Sequence, residues 1–473
     1  MELTVTIEAV GQGGICIARH EGRVVFVPDV LPGETVRVVV PEPAENAKFW
    51  RAELREVLEP SHSRIATRWS EAGPGGVGGA ELAHVELEAS RRWKSSVIAE
   101  QLSRLAGLEL AVEVEAAEGD VERDGLGWRT RVQFAVARDG RLGGLAPRSH
   151  RIVPLTRMPL ATSRIEGLGI LGHRFPGADR VEVIAPASGA QALVVVSYGQ
   201  PPKDADGQAP KDAGFQARRK QSLTAFAELN PDVSLVAVDE PNRRSGTRRP
   251  RGRRQGSSRT QRPRRELISG QDFVEEAVAF TLAGDRVERQ FRVTGGGFWQ
   301  VHRAAPGILT QALLDAVAVQ PGEKVADLYS GAGLFTAALA IAAGADGQVT
   351  GIEGDQQAVS DSERNLADLP TVRLHRGPVE KELAGIPVGQ AVPALDVVTL
   401  DPPRSGAGKA VVEQIVAHRP RIVGYVSCDP ATLARDIAYF AERGYRLSSL
   451  RAFDLFPLTH HVESLAVLTP GPN

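Results

Sequence analysis

The stretch VADLYSGAGLFT, residues 325–336, reads as a strand, a glycine turn and the start of a helix. The apolar run LFTAALAIAA (334–343) then continues with helical spacing. Gly331 and Gly333 let backbone approach a ligand where a Cβ would clash. The spacing is not G-x-G-x-x-G, and no Lys-Ser/Thr pair follows the loop. A dinucleotide pyrophosphate and a P-loop phosphate are therefore disfavoured.

Around this stretch the alternation repeats. QVTGIEG (348–354), VRLH (372–375), LDVVTLD (395–401) and RIVGYVS (421–427) are short β-rich runs. DQQAVSDSERNLADL (355–369) and ATLARDIAYFAERG (431–444) carry helical spacing. This order predicts an α/β fold with a doubly wound, mostly parallel sheet whose ligands sit at the carboxyl ends of the strands. Glu353 ends the strand after the glycine turn, 22 positions beyond Gly331. An acid there can accept hydrogen bonds from both hydroxyls of a ribose. A glycine turn and a strand-end acid without a phosphate cradle fit S-adenosylmethionine, which has a ribose but no phosphate. By itself, Glu353 is equally well an ordinary surface acid.

Two more residues fall at the same edge. Asp401 opens DPPR (401–404), where Pro402-Pro403 fixes the exit backbone, although a plain strand-ending turn reads the same way. Cys428 lies in YVSCDPATLARD (425–436), beside Ser427 and Asp429 and just before a helix start. A helix N-terminus favours the thiolate, the reactive form. Methyl transfer to a good nucleophile needs no protein thiol, so a cysteine here suggests a weak acceptor such as C5 of uracil. Thiolate addition at C6 gives an enolate whose C5 attacks the methyl group. A base then removes the C5 proton, and elimination frees the thiolate.

The first 60 residues read as all-β. Apolar residues alternate in LTVTIEAV and RVVFVPDV, with turns at Gly11-Gln12-Gly13-Gly14 and Leu31-Pro32-Gly33-Glu34. VRVVV (36–40) and AELREVLEP (52–60) complete a small oligonucleotide-binding type of barrel. The stretch GQGGICIARHEGRVVFVPDVLPGETVRV and the exit PSHSR resemble a TRAM domain, an RNA-binding barrel. A helix is expected at about 88–106, with Trp93, Val97, Ile98, Leu102 and Leu105 on one face. Short β-like runs follow in WRTRVQFAVA and QALVVVSYG. Polar stretches at 200–222 and 240–265 flank VSLVAVDE (233–240) and read as loop or disorder. Residues 243–265 hold eleven arginines and no acid, which leaves the remainder of this −2 chain at −13. Such a block could track phosphates, or simply aid solubility.

No apolar run is long enough for a transmembrane helix. MELTVTIEAVGQGG has no basic region followed by an apolar stretch, so no secretory signal is expected. With only Cys16 and Cys428, a reducing cytoplasm is the simple reading, and Cys16 reads as barrel core.

YVSCDPATLARD, DPPRSG, DLYSGAGLFT and the tail DLFPLTHHVESLAVL together resemble the RNA uracil-5-methyltransferase family, over roughly 295–468. The resemblance implies a class I methyltransferase fold that uses S-adenosylmethionine. It implies Cys428 as nucleophile and Glu463, in HHVES, as proton acceptor. Gln300, in GGGFWQVH (295–302), would bind the cofactor, with Tyr329 against it, Glu353 on its ribose and Asp401 on cofactor or target uracil. Many TRAM-bearing relatives hold an iron–sulfur cluster through a C-G-G-C-x-x-x-H stretch. Here the run is VGGAELAH (77–84), with Val77 and Ala80 at the cysteine positions, so no cluster is expected. Leu334 also stands where some members have Asn.

The expected organisation is a TRAM barrel (1–60), a central α+β domain (61–290) with a flexible basic insertion at about 200–265, and a catalytic domain (291–473). The expected function is C5 methylation of uridine in RNA, in 23S rRNA by analogy, in a cytoplasmic monomer without membrane contact. Alternatives are uridine 54 of tRNA, a small-molecule or protein methyltransferase, and a non-catalytic RNA-binding protein.

Overall fold

Alternation builds the N-terminal sheet: Glu2–Gly11 buries Leu3, Val5 and Ile7 on one face and exposes the residues between them. The computed structural model describes residues 1–44, 46–147, 149–199, 213–240, 263–387 and 395–471. In the first of these stretches and just beyond it, six strands run in the order Phe49–Arg51, Arg23–Pro28, Ile15–His20, Glu2–Gly11, Thr35–Val39, Glu53–Glu59. Glu2–Gly11 serves both halves of the sheet, with a register break between Ile7 and Ala9. Cys16 is fully buried in the core, and its Sγ faces the Val30 carbonyl at 3.3 Å. The fully buried Glu34 of LPGE explains two parts of the motif at once. It accepts Nε and Nη2 of Arg64, from PSHSR, at 2.5 and 2.7 Å, and the backbone N–H groups of Leu31 and Ser61.

The chain divides into two compact units: Met1–Trp128 with Ala277–Val293 and Gly297–Asn473, and Arg129–Glu276 with Thr294–Gly296. Residues 61–128, assigned with the central region from sequence, thus group with the barrel and the C-terminal sheet. The helix Leu87–Gln101, extended by a π turn to Ala106, is the reason. Its Trp93 and Val97 pack into the barrel core, while Ile98 and Leu102 pack into the C-terminal core. Val77 and Ala80 are buried as well.

The second unit is built on a seven-stranded sheet. WRTRVQFAVA supplies Arg131–Val136, QALVVVSYG supplies Ala192–Tyr198 and VSLVAVDE supplies Val233–Asp239. Every residue of Ala192–Tyr198 is buried, as a central strand requires. Residues 213–222, read from sequence as loop or disorder, lie in the helix Ala213–Leu229, whose buried Leu223 and Phe226 anchor it; residues 200–212 and, of the arginine block, 243–262 lie outside the described residues. Arg264 and Arg265 open the strand Arg264–Ser269 and are exposed.

The C-terminal sheet has eight strands. Their order is Val372–Arg376, Gln348–Glu353, Lys324–Leu328, Val397–Leu400, Ile422–Ser427, Glu463–Pro470, Tyr445–Asp454, Val114–Ala116. The first five are parallel, and Glu463–Pro470 is inserted antiparallel beside Ile422–Ser427. The helices Leu334–Ala343 and Gln356–Asn365 fall within the stretches read as helical, and Pro430–Ala441 starts one residue before its stretch. The helix Gln356–Asn365 stops short of the expected 369 and begins at an Asp355 cap. Because Glu463–Pro470 runs backwards, its first residue lies where the parallel strands end. Among the described residues, no helix is long and apolar enough to cross a membrane.

Candidate active site

The glycine turn carries the most distinctive backbone. Tyr329, Gly331 and Gly333 all have positive φ, at 62°, 55° and 93°. For Tyr329 this is a strained conformation, of the kind that concentrates at functional turns. Glu353 clasps the turn: its Oε2 accepts the Gly331 N–H at 3.0 Å and its Oε1 the Asp355 N–H at 2.6 Å. A Cβ built at Gly331 would meet nothing within 4 Å, so the space beside the turn is open. Ser330 Oγ is buried against Gly351 of the adjacent strand and has no hydrogen-bond partner among the described residues. An open turn, an unpaired hydroxyl and a strand-end carboxylate fit an adenosyl group. Gly333 has a packing task besides the one its spacing suggests. A Cβ there would strike Leu366 and Ser362 at 2.9 Å, so it also admits the neighbouring helix. Tyr329 is half-buried and packs against the apolar core; burial, then Asp436 and Glu380, push its hydroxyl to about 12.

Sheet register brings the expected nucleophile and base together. Ser427 pairs with Ser464, so Cys428 and Glu463 leave two adjacent strands at the same end of the sheet. Asp401 leaves the neighbouring parallel strand, its N–H donating to the Leu328 carbonyl at 3.3 Å. Gln300, nearly buried, donates from Nε2 to Asp401 Oδ2 at 3.5 Å. Glu463 is buried, and its Oε1 has no partner among the described residues. Burial, then the charge of Asp401, hold its carboxyl well above the usual range. Burial and Asp327 raise Asp401 to about 7. Asp327 is itself raised to about 6 by burial, although Thr336 and Thr399 hydrogen-bond to it at 2.6 and 2.9 Å.

Cys428 departs from the helix-terminus expectation. Its thiol is raised to about 11, first by burial and then by Glu463 and Asp401, with Arg404 opposing. The resting site therefore holds a protonated thiol rather than a thiolate. Burial among carboxylates outweighs the helix end.

The loop after Asp401 is tied down by the helix after Cys428. Asp436 Oδ2 accepts the backbone N–H groups of Ala407 and Gly408, at 2.8 and 3.1 Å, and the Tyr425 hydroxyl at 2.8 Å. Gly406, at φ 74°, passes so close that a Cβ would lie 2.6 Å from Asp436 Oδ2. Thr432 and Arg435 donate to the carbonyls of Arg404 and Ser405. Arg404 is thereby brought to His461, 3.2 Å from Nη2 to Nε2. His461 is held neutral, at about 3, by burial and then by His460 and Arg404.

Cys428 opens into a pocket of about 100 Å³. Pro430, Arg404 and His461 line it, together with Lys94 from the long helix and Gly11, Gln12 and Gly13 from the barrel. Lys94 is fully buried and donates to Asp454 Oδ1 at 2.5 Å and to the Phe456 carbonyl at 3.1 Å. His460 pairs with Glu81 at 3.2 Å.

The structure thus brings Asp401, Cys428 and Glu463 to one end of the sheet, with Gln300 on Asp401 and with Gly331 and Glu353 at the neighbouring strand ends. Sequence reasoning passed over Asp327, Lys94, Asp436 and the exposed Phe298. Lys94 had a signal: it lies between Trp93 and Val97, where the helical pattern calls for an apolar residue.

Comparison with known proteins gives consistent matches. A family model described as tRNA (Uracil-5-)-methyltransferase matches residues 381–470, and a TRAM domain model matches residues 1–48. A model described as Protein-L-isoaspartate(D-aspartate) O-methyltransferase matches residues 298–377, which contain the glycine turn. A Streptomyces avermitilis protein named as an uncharacterized RNA methyltransferase is 39% identical over 99% of this chain and 98% of its own length. The 23S rRNA (uracil(1939)-C(5))-methyltransferase RlmD of Alkalilimnicola ehrlichii is 31% identical over 98% of this chain and 95% of its own. Among solved structures, the Pyrococcus abyssi tRNA (uracil-54, C5)-methyltransferase in complex with S-adenosyl-L-homocysteine aligns with a TM-score of 0.66. That match has 20% identity and covers 98% of this chain and 99% of that one, so the fold is shared.

Proposed function

The chain belongs to the RNA (uracil-5-)-methyltransferase family and is an S-adenosylmethionine-dependent enzyme, and from that premise we propose that it methylates C5 of a uridine in 23S rRNA through a covalent Cys428 adduct. The observation that carries the mechanism is the pairing of Ser427 with Ser464, which delivers Cys428 and Glu463 to one end of the sheet. A binding protein would need neither group there.

Glu353, the Gly331 turn and Ser330 would hold the cofactor, and when bound it supplies an electrophilic methyl group. The chain's own residues do the rest. Cys428 gives its proton to solvent water, and its sulfur bonds to C6 of a flipped-out uracil, moving the ring electrons onto C5. After methyl transfer, Glu463 takes the C5 proton. The electron pair of that C–H bond restores the ring double bond and expels the Cys428 thiolate. A buried carboxylate of raised proton affinity suits this abstraction from carbon. Asp401, steadied by Gln300, would face the uracil or the cofactor.

Ribosomal RNA is favoured because RlmD proteins align along nearly the whole chain, at 28% and 31% identity. The workplace would be the cytoplasm. RNA carrying 5-fluorouridine cannot lose its C5 substituent as a proton, so it should trap an adduct stable to denaturing gels with wild type and not with Cys428→Ser. Mapping 5-methyluridine in rRNA and tRNA from a deletion strain tests the target. Equal methylation by wild type and Cys428→Ser, without any adduct, would rule the mechanism out.

A further inference from the structure

The barrel does more than adjoin the catalytic sheet: its Gly11–Gly14 loop stands in the wall of the Cys428 pocket. We propose that Gln12 positions the nucleotide entering that pocket, its amide nitrogen anchored on Asp429 and its remaining polar atoms turned to a pyrimidine edge. This rests on the uridine reading above.

Three observations support it. Gln12 Nε2 lies 3.4 Å from Asp429 Oδ2, and Asp429 immediately follows the nucleophile and caps the helix behind it. After that contact a carboxamide still has one N–H and a carbonyl oxygen, one donor beside one acceptor. The imide edge of uracil offers the complementary pair. The loop is also held at a fixed distance. Gly14, at φ 72°, lies so close to Glu81 and His460 that a Cβ would come within 2.8 Å of the Glu81 Cβ. Glu81 and His460 are themselves paired, so the loop rests on a braced support. Finally, Gly13, at φ 84°, would place a Cβ in open space, leaving room beside Gln12 for a ring.

A barrel that only grips distant RNA would affect affinity. A barrel loop inside the pocket affects the reaction step. The test uses the full chain and a short single-stranded RNA oligonucleotide with one uridine, too small to span remote contacts. Gln12 is exposed, so Gln12→Ala should fold. It is expected to lower kcat about tenfold, the worth of one polar contact, while KM for cofactor stays within about twofold. Gln12→Glu, which sets a carboxylate against Asp429, should be slower still, and both variants should trap 5-fluorouridine RNA more slowly. A wild-type kcat for Gln12→Ala, or a rise in RNA KM alone, overturns the proposal. If wild type itself methylates no uridine, the uridine reading falls first, and the two failures stay distinct.

Discussion

The protonation state of Cys428 can be read directly by alkylation. An ordinary cysteine with a value of 9.0 is about one-tenth thiolate at pH 8, whereas Cys428, at about 11, is about one part in a thousand. The thiolate fraction is about 100-fold lower, and the greater intrinsic nucleophilicity of the more basic thiolate recovers about tenfold, so iodoacetamide should modify it about tenfold more slowly than a free thiol at pH 8. The rate should climb about tenfold per pH unit through pH 9 without levelling. The chain suits this assay, because the other cysteine, Cys16, is fully buried and raised further by burial. Mass measurement of the Cys428 peptide gives the rate. Only the thiolate reacts, so a raised value delays reactivity to higher pH. Glu463→Gln removes the second-ranked cause and should shift the profile to lower pH, although burial remains. Arg404→Gln removes the opposing cation and should shift it to higher pH. A plateau at or below pH 8 in the wild type would mean a preformed thiolate and would refute this electrostatic account.

Glu463→Gln should also leave a methylated adduct on ordinary uridine RNA, seen as a denaturant-resistant band, because nothing takes the C5 proton; release of free 5-methyluridine at the wild-type rate would contradict Glu463 as base. Lys94→Met should cost about 3–5 kcal/mol in urea unfolding, since it strands the buried Asp454. The double variant Lys94→Met/Asp454→Leu should recover most of that, and equal losses in both would show that the pair itself is stabilising. Glu353→Ala should weaken S-adenosylmethionine binding about 10–100-fold by calorimetry, with Glu353→Gln milder because it keeps an acceptor.

Local pattern carried much of the fold. The run VADLYSGAGLFT and the β-rich stretches after it specify strands and helices within a few residues of one another, and the same pattern put Glu353, Asp401 and Cys428 at strand ends. What escaped was set by pairing between distant positions. Lys94 and Asp454 are 360 residues apart, and Gln12 and Asp429 are 417. No periodicity links such partners. The grouping of residues 61–128 escaped for a related reason, since one helix feeds two cores with successive turns. Gly333 shows a subtler limit: a glycine in a ligand turn can be demanded by helix packing as well. Glu463 was assigned a role only through resemblance, because its burial depends on an antiparallel insertion that its neighbours in sequence do not announce.

The thiol shows why a local rule can mislead and still leave the chemistry intact. Burial makes the Cys428 thiolate scarce, and the same burial, with Asp401, raises the proton affinity of Glu463. Both groups must nevertheless act deprotonated. Scarcity is offset by potency: intrinsic nucleophilicity rises with thiol basicity, and a carboxylate of high proton affinity is the stronger base toward carbon. C6 of uracil is a poor electrophile and the C5 proton a poor acid, so each reagent gains where its reaction is hardest. The resting enzyme, meanwhile, carries a thiol that reacts slowly with adventitious electrophiles. The proton must then leave when RNA is bound. His461, held neutral beside Arg404, and Gln12 are among the polar residues that line the same pocket as Cys428.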